Sequence, residues 1–192
     1  MSGPALRLLT EAEYLASEAL SPVRREYVDG FVYAQAGASL PHNRIASNVL
    51  GVLLPAARSH GCWTYAADMK VRVSRLGQLR YYYPDLVVVC EAHDDLREAE
   101  AQPCLIVEIL SRSTRQVDMT FKAQDYLSLP SLQGYLLVDS EARAAELYRR
   151  LPGGGGWTQE TVQDALTLPC VNVPLSLAEI YHGVAVRAGE PE

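Results

Sequence analysis

The sequence predicts an α/β domain with a mixed central sheet flanked by helices. Short apolar runs suited to buried strands lie at 81–90, 104–110 and 134–139. A helical segment separates the last two runs, and a strand, helix, strand passage is typical of a crossover packed on a sheet. The composition is 48% hydrophobic over 192 residues, which fits one domain spanning 1–192.

The N-terminal part is predicted to add a short helix and a hairpin to this core. Thr10 followed by Glu13 is a capping-box pattern that opens a helix through Ala19. Two β-rich runs then flank Asp29-Gly30, which is a strong signal for a tight hairpin turn.

The remaining elements follow from periodicity and from turn residues. A longer helix is predicted to begin at Pro41 and to end before Gly61, and a strand is predicted at 69–73. The chain 118–129 is predicted to be a helix that stops before proline. The glycines at 153–156 predict a hairpin turn, and a short helix is expected at 177–181.

The charge and the cysteine content indicate which partners and which cellular compartment to expect. The net charge is -6 and the pI is near 5.3, which counts against a uniformly basic nucleic-acid-binding face but not against a local patch. The four cysteines lack zinc-site or redox-motif spacing. Cys90 and Cys104 are interpreted as small buried hydrophobes, so we expect a reducing, cytoplasmic location. No apolar stretch predicts a signal peptide or a membrane span.

Two carboxylates stand in unusual places. Glu108 lies inside an apolar run, where a charge is costly unless it is paired or bound to a cation. Asp85 opens the preceding apolar run. Neighbouring strands would bring these acids together, and Mg²⁺ or Mn²⁺ between them would relieve their repulsion. The alternative is a structural ion pair of Glu108 with Lys122 or Arg72.

Lysine is rare in this chain. There are fifteen arginines but only two lysines, Lys70 and Lys122. Lys122 lies in the helix after the Glu108 strand, from which it could stabilise negative charge developing on a phosphate. A helical pair with Asp118 is an equally good explanation. Lys70 is the weaker candidate.

The order of these motifs resembles the Uma-two family, whose members are described as restriction endonucleases of the PD-(D/E)xK superfamily. The resemblance covers roughly residues 10–181. It is carried by Tyr83-Pro84-Asp85, by Ile106-Val107-Glu108-Ile109-Leu110-Ser111, by Asp118, Lys122 and Tyr126, by Glu26, Asp29, Gly30, Gly37, His42 and Asn43, and by Tyr135-Leu136-Leu137-Val138-Asp139.

The resemblance implies a restriction-endonuclease-like core and Mg²⁺-dependent (or Mn²⁺-dependent) cleavage of phosphodiester bonds. Asp85 and Glu108 map onto the metal-binding acids. The superfamily usually places a lysine two residues after the second acid, where this chain has Leu110, and the family resemblance suggests Lys122 as its replacement.

Other residues are secondary candidates. Glu26 could be a third acid at the metal site; the alternative is a solvated charge on the hairpin. His42 could bind phosphate or assist proton transfer; the alternative is an ordinary histidine at the start of a helix. Ser111, Arg112 and Lys70 could contact phosphate. The alternatives are that Ser111 caps the next helix and that the charged side chains are solvated.

Two further functions stay open. One is a catalytically inactive module of the same fold that binds nucleic acid or a protein. The other is a structural or oligomerisation domain with salt-bridged carboxylates. The expected partner is nucleic acid, with DNA favoured, and a homodimer would suit double-strand cleavage; no membrane partner is expected.

Overall fold

The computed structural model is an α/β fold. It describes residues 7–35, 37–91, 99–111, 115 and 118–186. The strands are β1 (Arg25–Val28), β2 (Phe31–Ala34), β3 (Trp63–Ala66), β4 (Val71–Arg75), β5 (Gln78–Tyr82), β6 (Leu86–Val89), β7 (Leu105–Leu110), β8 (Gly134–Asp139), β9 (Ala145–Arg150), β10 (Trp157–Thr161), β11 (Ala165–Leu168) and β12 (Val173–Ser176). The helices are α1 (Glu11–Glu18), α2 (Leu40–Ser59), α3 (Ala123–Leu127) and α4 (Leu177–Ile180), with a π-helical turn at Asp118–Lys122 and a 3-10 turn at Pro152–Gly154.

The central sheet has the strand order β10-β9-β8-β7-β6-β3. Strands β7 and β8 are parallel and the other neighbours are antiparallel, so the predicted mixed sheet is confirmed. The connection between the parallel strands runs through the π-helical turn and α3. All residues of β6, β7 and β8 are buried, which explains their nearly uninterrupted apolar sequences.

The two faces of this sheet support separate cores. Helix α2 packs Ile45, Val49 and Leu53 against one face. The other face packs against α3 through Tyr126 and against the second sheet, whose order is β2-β1-β5-β4. Val73 of that second sheet belongs to the same core. The candidate acids therefore lie where the two sheets and α3 meet.

The structure confirms most predicted elements. The capping box of Thr10 and Glu13 opens α1, and Asp29 and Gly30 form the β1–β2 turn with positive φ angles. The predicted long helix begins at Leu40, because Ser39 caps it. The β11–β12 hairpin was not predicted. No described helix is long and apolar enough to cross a membrane.

The interpretation of the cysteines was wrong. Cys62 is bonded to Cys90, and Cys104 is bonded to Cys170. Cys62 and Cys90 directly flank the antiparallel pair of β3 and β6, which brings them together. The partners are 28 and 66 residues apart, so sequence spacing gives no sign of the pairing. The cysteines therefore give no support to the expected reducing compartment.

Candidate active site

Glu108 lies in the middle of β7 and faces the core that contains α3. Ile106 and Leu110, which share its side of the strand, belong to that core. Its side chain is only 6% exposed, and the Tyr126 hydroxyl donates a hydrogen bond to Glu108 Oε1 at 3.2 Å. A carboxylate at this depth needs such partners, because burial without them is costly.

Asp85 lies beside Glu108 on the same face of the sheet. The antiparallel register pairs Leu86 with Val107, so one residue further along sets Asp85 next to Glu108. Val87, two residues after Asp85, points to the same side of the sheet and belongs to the core that contains Ile106 and Leu110. The backbone N–H of Ile109 donates to Asp85 Oδ2 at 2.7 Å, which holds the carboxylate against β7.

Lys122 reaches the same place from the end of the π-helical turn. Its Nζ lies 2.8 Å from Glu26 Oε1 and 3.7 Å from Glu108 Oε1. The side chain is 7% exposed, and the ammonium lies 5.5 Å from the ring centre of Tyr82. The structure therefore places the Lys122 ammonium beside these two acids. The side chain of Asp118 lies outside the described residues.

Glu26 comes from β1 in the second sheet. Besides Lys122, it accepts hydrogen bonds from the Tyr83 backbone N–H at 3.3 Å and from Gln35 Nε2 at 3.4 Å. Tyr83 precedes Pro84-Asp85, so these bonds tie the second sheet to the start of β6. Gln35 was missed by sequence reasoning, because nothing local marks a glutamine after a hairpin strand.

His42 approaches Asp85 from the first turn of α2. Its Nε2 lies 3.2 Å from Asp85 Oδ2, and the side chain is 14% exposed. Its Nδ1 is buried and has no hydrogen-bond partner in the part of the chain that the structure describes. Helix α2 packs on the opposite face of the sheet, so His42 meets Asp85 at the strand end.

The remaining candidates, Lys70 and Ser111, contact residues other than the two acids and Lys122. Lys70 Nζ lies 5.7 Å from the ring centre of Tyr83. The Ser111 backbone carbonyl accepts a hydrogen bond from the Arg115 N–H at 2.9 Å. Arg112 lies outside the described residues. Arg72, the other partner considered for Glu108, instead contacts Glu11 at 3.0 Å.

A buried polar cluster supports the Lys122 side of the site. Asp125, 3% exposed, accepts a hydrogen bond from the Tyr82 hydroxyl at 2.7 Å and contacts Arg80 Nε at 3.1 Å. Burial and this hydrogen bond raise the pKa of Tyr82 well above its ordinary value. Tyr82 therefore stays neutral and presents a fixed ring to the Lys122 ammonium.

The donor set suits a hard divalent cation. Asp85 and Glu108 supply oxygens, and Mg²⁺ is usually held by one or two carboxylates while keeping several waters. Within the described residues, no three side chains of His, Cys, Asp or Glu converge on one metal position. The geometry thus brings two carboxylates onto one face of the central sheet, with a lysine beside one of them.

Comparisons with known proteins agree with this architecture. The model of the Uma2 family (Uma-two above), described as "Putative restriction endonuclease", matches residues 11–178. The uncharacterized protein slr1290 of Synechocystis sp. is 31% identical over 180 residues, which cover 92% of this chain and 93% of the relative. A second Synechocystis protein, the uncharacterized protein sll1609, is 32% identical over 148 residues, covering 76% and 82%.

The chain shares its fold with a solved structure. It is the crystal structure of a protein from Anabaena variabilis described as "a putative nuclease belonging to DUF820". It superposes with a TM-score of 0.70 at 16% identity, and the match covers 89% of this chain and 98% of that one. At this level of identity the likeness establishes the fold alone.

Proposed function

The chain belongs to the Uma2 family of "Putative restriction endonuclease" proteins, and from this premise we propose that it is a metal-dependent nuclease that hydrolyses phosphodiester bonds of nucleic acid. DNA is the substrate we expect. The observation that carries the proposal is the meeting of Asp85 and Glu108 on one face of the central sheet, with Lys122 Nζ 3.7 Å from Glu108.

Asp85 and Glu108 would hold Mg²⁺ or Mn²⁺ through their carboxylate oxygens. When bound, such an ion polarises the phosphate and activates a water molecule for attack. The Ile109 N–H orients Asp85, and the Tyr126 hydroxyl orients Glu108. These two hydrogen bonds would keep the acids in place before substrate arrives, which lowers the cost of binding.

Lys122 would supply the positive charge that the superfamily usually takes from the position of Leu110. Leu110 is buried and apolar here, whereas the Lys122 ammonium lies against two carboxylates. It would stabilise negative charge that develops on the phosphate during hydrolysis. Glu26 holds this ammonium at 2.8 Å, so its role in the proposal is to position Lys122. His42, in contact with Asp85, is placed to assist proton transfer or to touch the phosphate.

A cleavage assay tests the proposal. The protein is incubated with single-stranded and double-stranded DNA and with RNA, in Mg²⁺, in Mn²⁺ and in EDTA. Glu108→Gln should lower the metal-dependent rate by about 10²-fold or more. Glu100→Gln is a matched control, because Glu100 is also buried but bonds the backbone N–H groups of Ala101 and Gln102 elsewhere. Equal cleavage by the wild type and Glu108→Gln would contradict the proposal.

The second candidate function is a binding module with the same fold and no catalysis. Two observations favour it: the usual lysine position is Leu110, and the Lys122 ammonium already pairs with Glu26 and lies near Glu108. Such a module would bind nucleic acid or protein equally well with and without divalent metal. A binding titration in EDTA and in Mg²⁺, run beside the cleavage assay, separates the two functions.

Assembly and location complete the proposal. We expect a homodimer, because two active sites are needed to cut both strands of a duplex, and light scattering at several protein concentrations checks this. A cytoplasmic location also stays a prediction, and fractionation of the native cells tests it.

A further inference from the structure

A cavity of about 550 Å³ lies beside the candidate active site. Arg24, Gln35, Gly37, Asp68 and Tyr83 are among the residues that line it. Its volume falls in the range of pockets that take small organic ligands, roughly 300–1,000 Å³. The roles assigned above to the acids and Lys122 make no use of this cavity.

The cavity shares a wall with the catalytic cluster. The side-chain amide of Gln35, a lining residue, donates to the Tyr83 carbonyl at 3.0 Å and to Glu26 Oε1 at 3.4 Å. Tyr83 also lines the cavity, and the chain continues from it through Pro84 to Asp85. A group seated in the cavity would therefore lie next to the proposed site of cleavage.

The walls combine apolar surface with fixed polar groups. Val23 offers apolar surface and is 53% exposed. The Arg24 guanidinium is anchored by the Ala67 carbonyl at 2.6 Å and by Asp68 at 3.3 Å. Gln35 uses its amide nitrogen on Tyr83 and Glu26, which leaves its oxygen as the acceptor. A planar base with apolar faces and hydrogen-bonding edges matches this mixture.

Lys70 adds a cation next to the same wall. The two lysines of the chain contact consecutive tyrosines: Lys122 lies over Tyr82, and Lys70 lies over Tyr83. Tyr82 bonds Asp125 while Tyr83 bonds Glu18, so the two rings point to opposite sides. Within the described residues Lys70 forms no ion pair with a carboxylate, so its charge is available to a phosphate.

We propose that this cavity seats one nucleotide of the substrate, with the base against Val23, Arg24 and Gln35 and its phosphate on Lys70. The inference rests on the proposed nuclease function and extends it to a substrate class. A base that is paired and stacked in a duplex cannot enter a side cavity, so the nucleotide bound there is unpaired. The substrate is therefore single-stranded, or locally opened, next to the cleavage site.

Binding of deoxynucleoside 5′-monophosphates in EDTA tests the proposal without any cleavage. Calorimetric titration should show saturable binding to the wild type. Gly37→Trp should weaken it by about tenfold or more, because the new side chain fills the cavity. A Cβ at Gly37 meets no atom within 4 Å, so the variant should fold. Gly155→Trp is the matched control, since Gly155 is equally open but lies in a distant turn, and it should bind like the wild type.

Lys70→Gln separates the two parts of the nucleotide. It should weaken monophosphate binding by about fivefold and leave binding of the unphosphorylated deoxynucleoside unchanged. The proposal is overturned if the wild type binds no nucleotide below roughly 10 mM, or if Gly37→Trp binds as the wild type does. Cleavage that persists in either case would leave the proposed function standing. Nucleotide binding without cleavage would instead support this site in an inactive module.

Discussion

Replacing Lys122 with methionine removes the cation that two buried carboxylates share. The ammonium lies 2.8 Å from Glu26 and 3.7 Å from Glu108, and the three side chains are 7%, 14% and 6% exposed. Methionine keeps much of the length and apolar surface of the lysine stem. The substitution therefore isolates the effect of the charge from the effect of packing.

The expected loss of stability is large. Removing one partner of a buried ion pair typically costs about 3–5 kcal/mol, because the remaining charge is left uncompensated. For a domain of this size each kcal/mol lowers the thermal midpoint by about 2–4 °C. Lys122→Met should therefore unfold at least about 6 °C below the wild type.

Urea denaturation followed by circular dichroism measures the change in free energy of unfolding. Lys70→Met is the matched control, because the Lys70 ammonium lies over the Tyr83 ring and forms no ion pair with a carboxylate in the described part of the chain. Its loss should cost about 1 kcal/mol or less. In the double variant Lys122→Met with Glu26→Gln, the cost should be smaller than the sum of the two single costs. A Lys122→Met protein as stable as Lys70→Met would refute the electrostatic account of this cluster.

Three other perturbations test the fold. Gly134→Ala should lower the free energy of unfolding in urea by about 1–3 kcal/mol, because its Cβ would lie 2.5 Å from the Pro169 ring. Gly51 lies in open space on a helix, so Gly51→Ala should instead stabilise the protein by about 0.5–1 kcal/mol. Equal effects of the two substitutions would contradict this expectation. Breaking the Cys104–Cys170 bond with Cys104→Ser should lower stability by about 4 kcal/mol, and a wild type whose stability is unchanged by reductant would argue against that bond. Thermal midpoints should be nearly constant from pH about 7 to about 10 and fall above it, because the folded state keeps phenolic protons that the unfolded chain releases. A flat profile to pH about 11.5 would refute this. Burial raises the pKa of the tyrosines responsible for this effect, to about 12 for Tyr81. These tyrosines are Tyr14, Tyr81, Tyr82, Tyr83 and Tyr181.

The sequence revealed the acids of the candidate site because their signal is local. A glutamate inside an apolar strand carries a burial cost that needs a partner, and this cost is visible without coordinates. The scarcity of lysine drew attention to Lys122 in the same way. The position of Lys122 beside Glu26 and Glu108 depends on the π-helical turn, which no residue pattern marks.

Other features were hidden because they depend on distant partners. Gln35 meets the Tyr83 carbonyl across 48 residues, and Tyr82 meets Asp125 across 43. Asp125 looks like an ordinary exposed helix residue until the second sheet is placed over it. The Cys104–Cys170 pairing likewise depends on how the β11–β12 region folds back to the start of β7, which the sequence does not predict.

The central claim is that Asp85 and Glu108 bind one divalent cation together. Titration of Mn²⁺, followed by calorimetry or by electron paramagnetic resonance of the free ion, tests it directly. The account predicts one saturable Mn²⁺ site in the wild type and in Glu100→Gln. The affinity of this site for Mn²⁺ should fall by about tenfold or more in Asp85→Asn and in Glu108→Gln. Equal Mn²⁺ binding by folded samples of all four proteins, or no binding by the wild type, would contradict it.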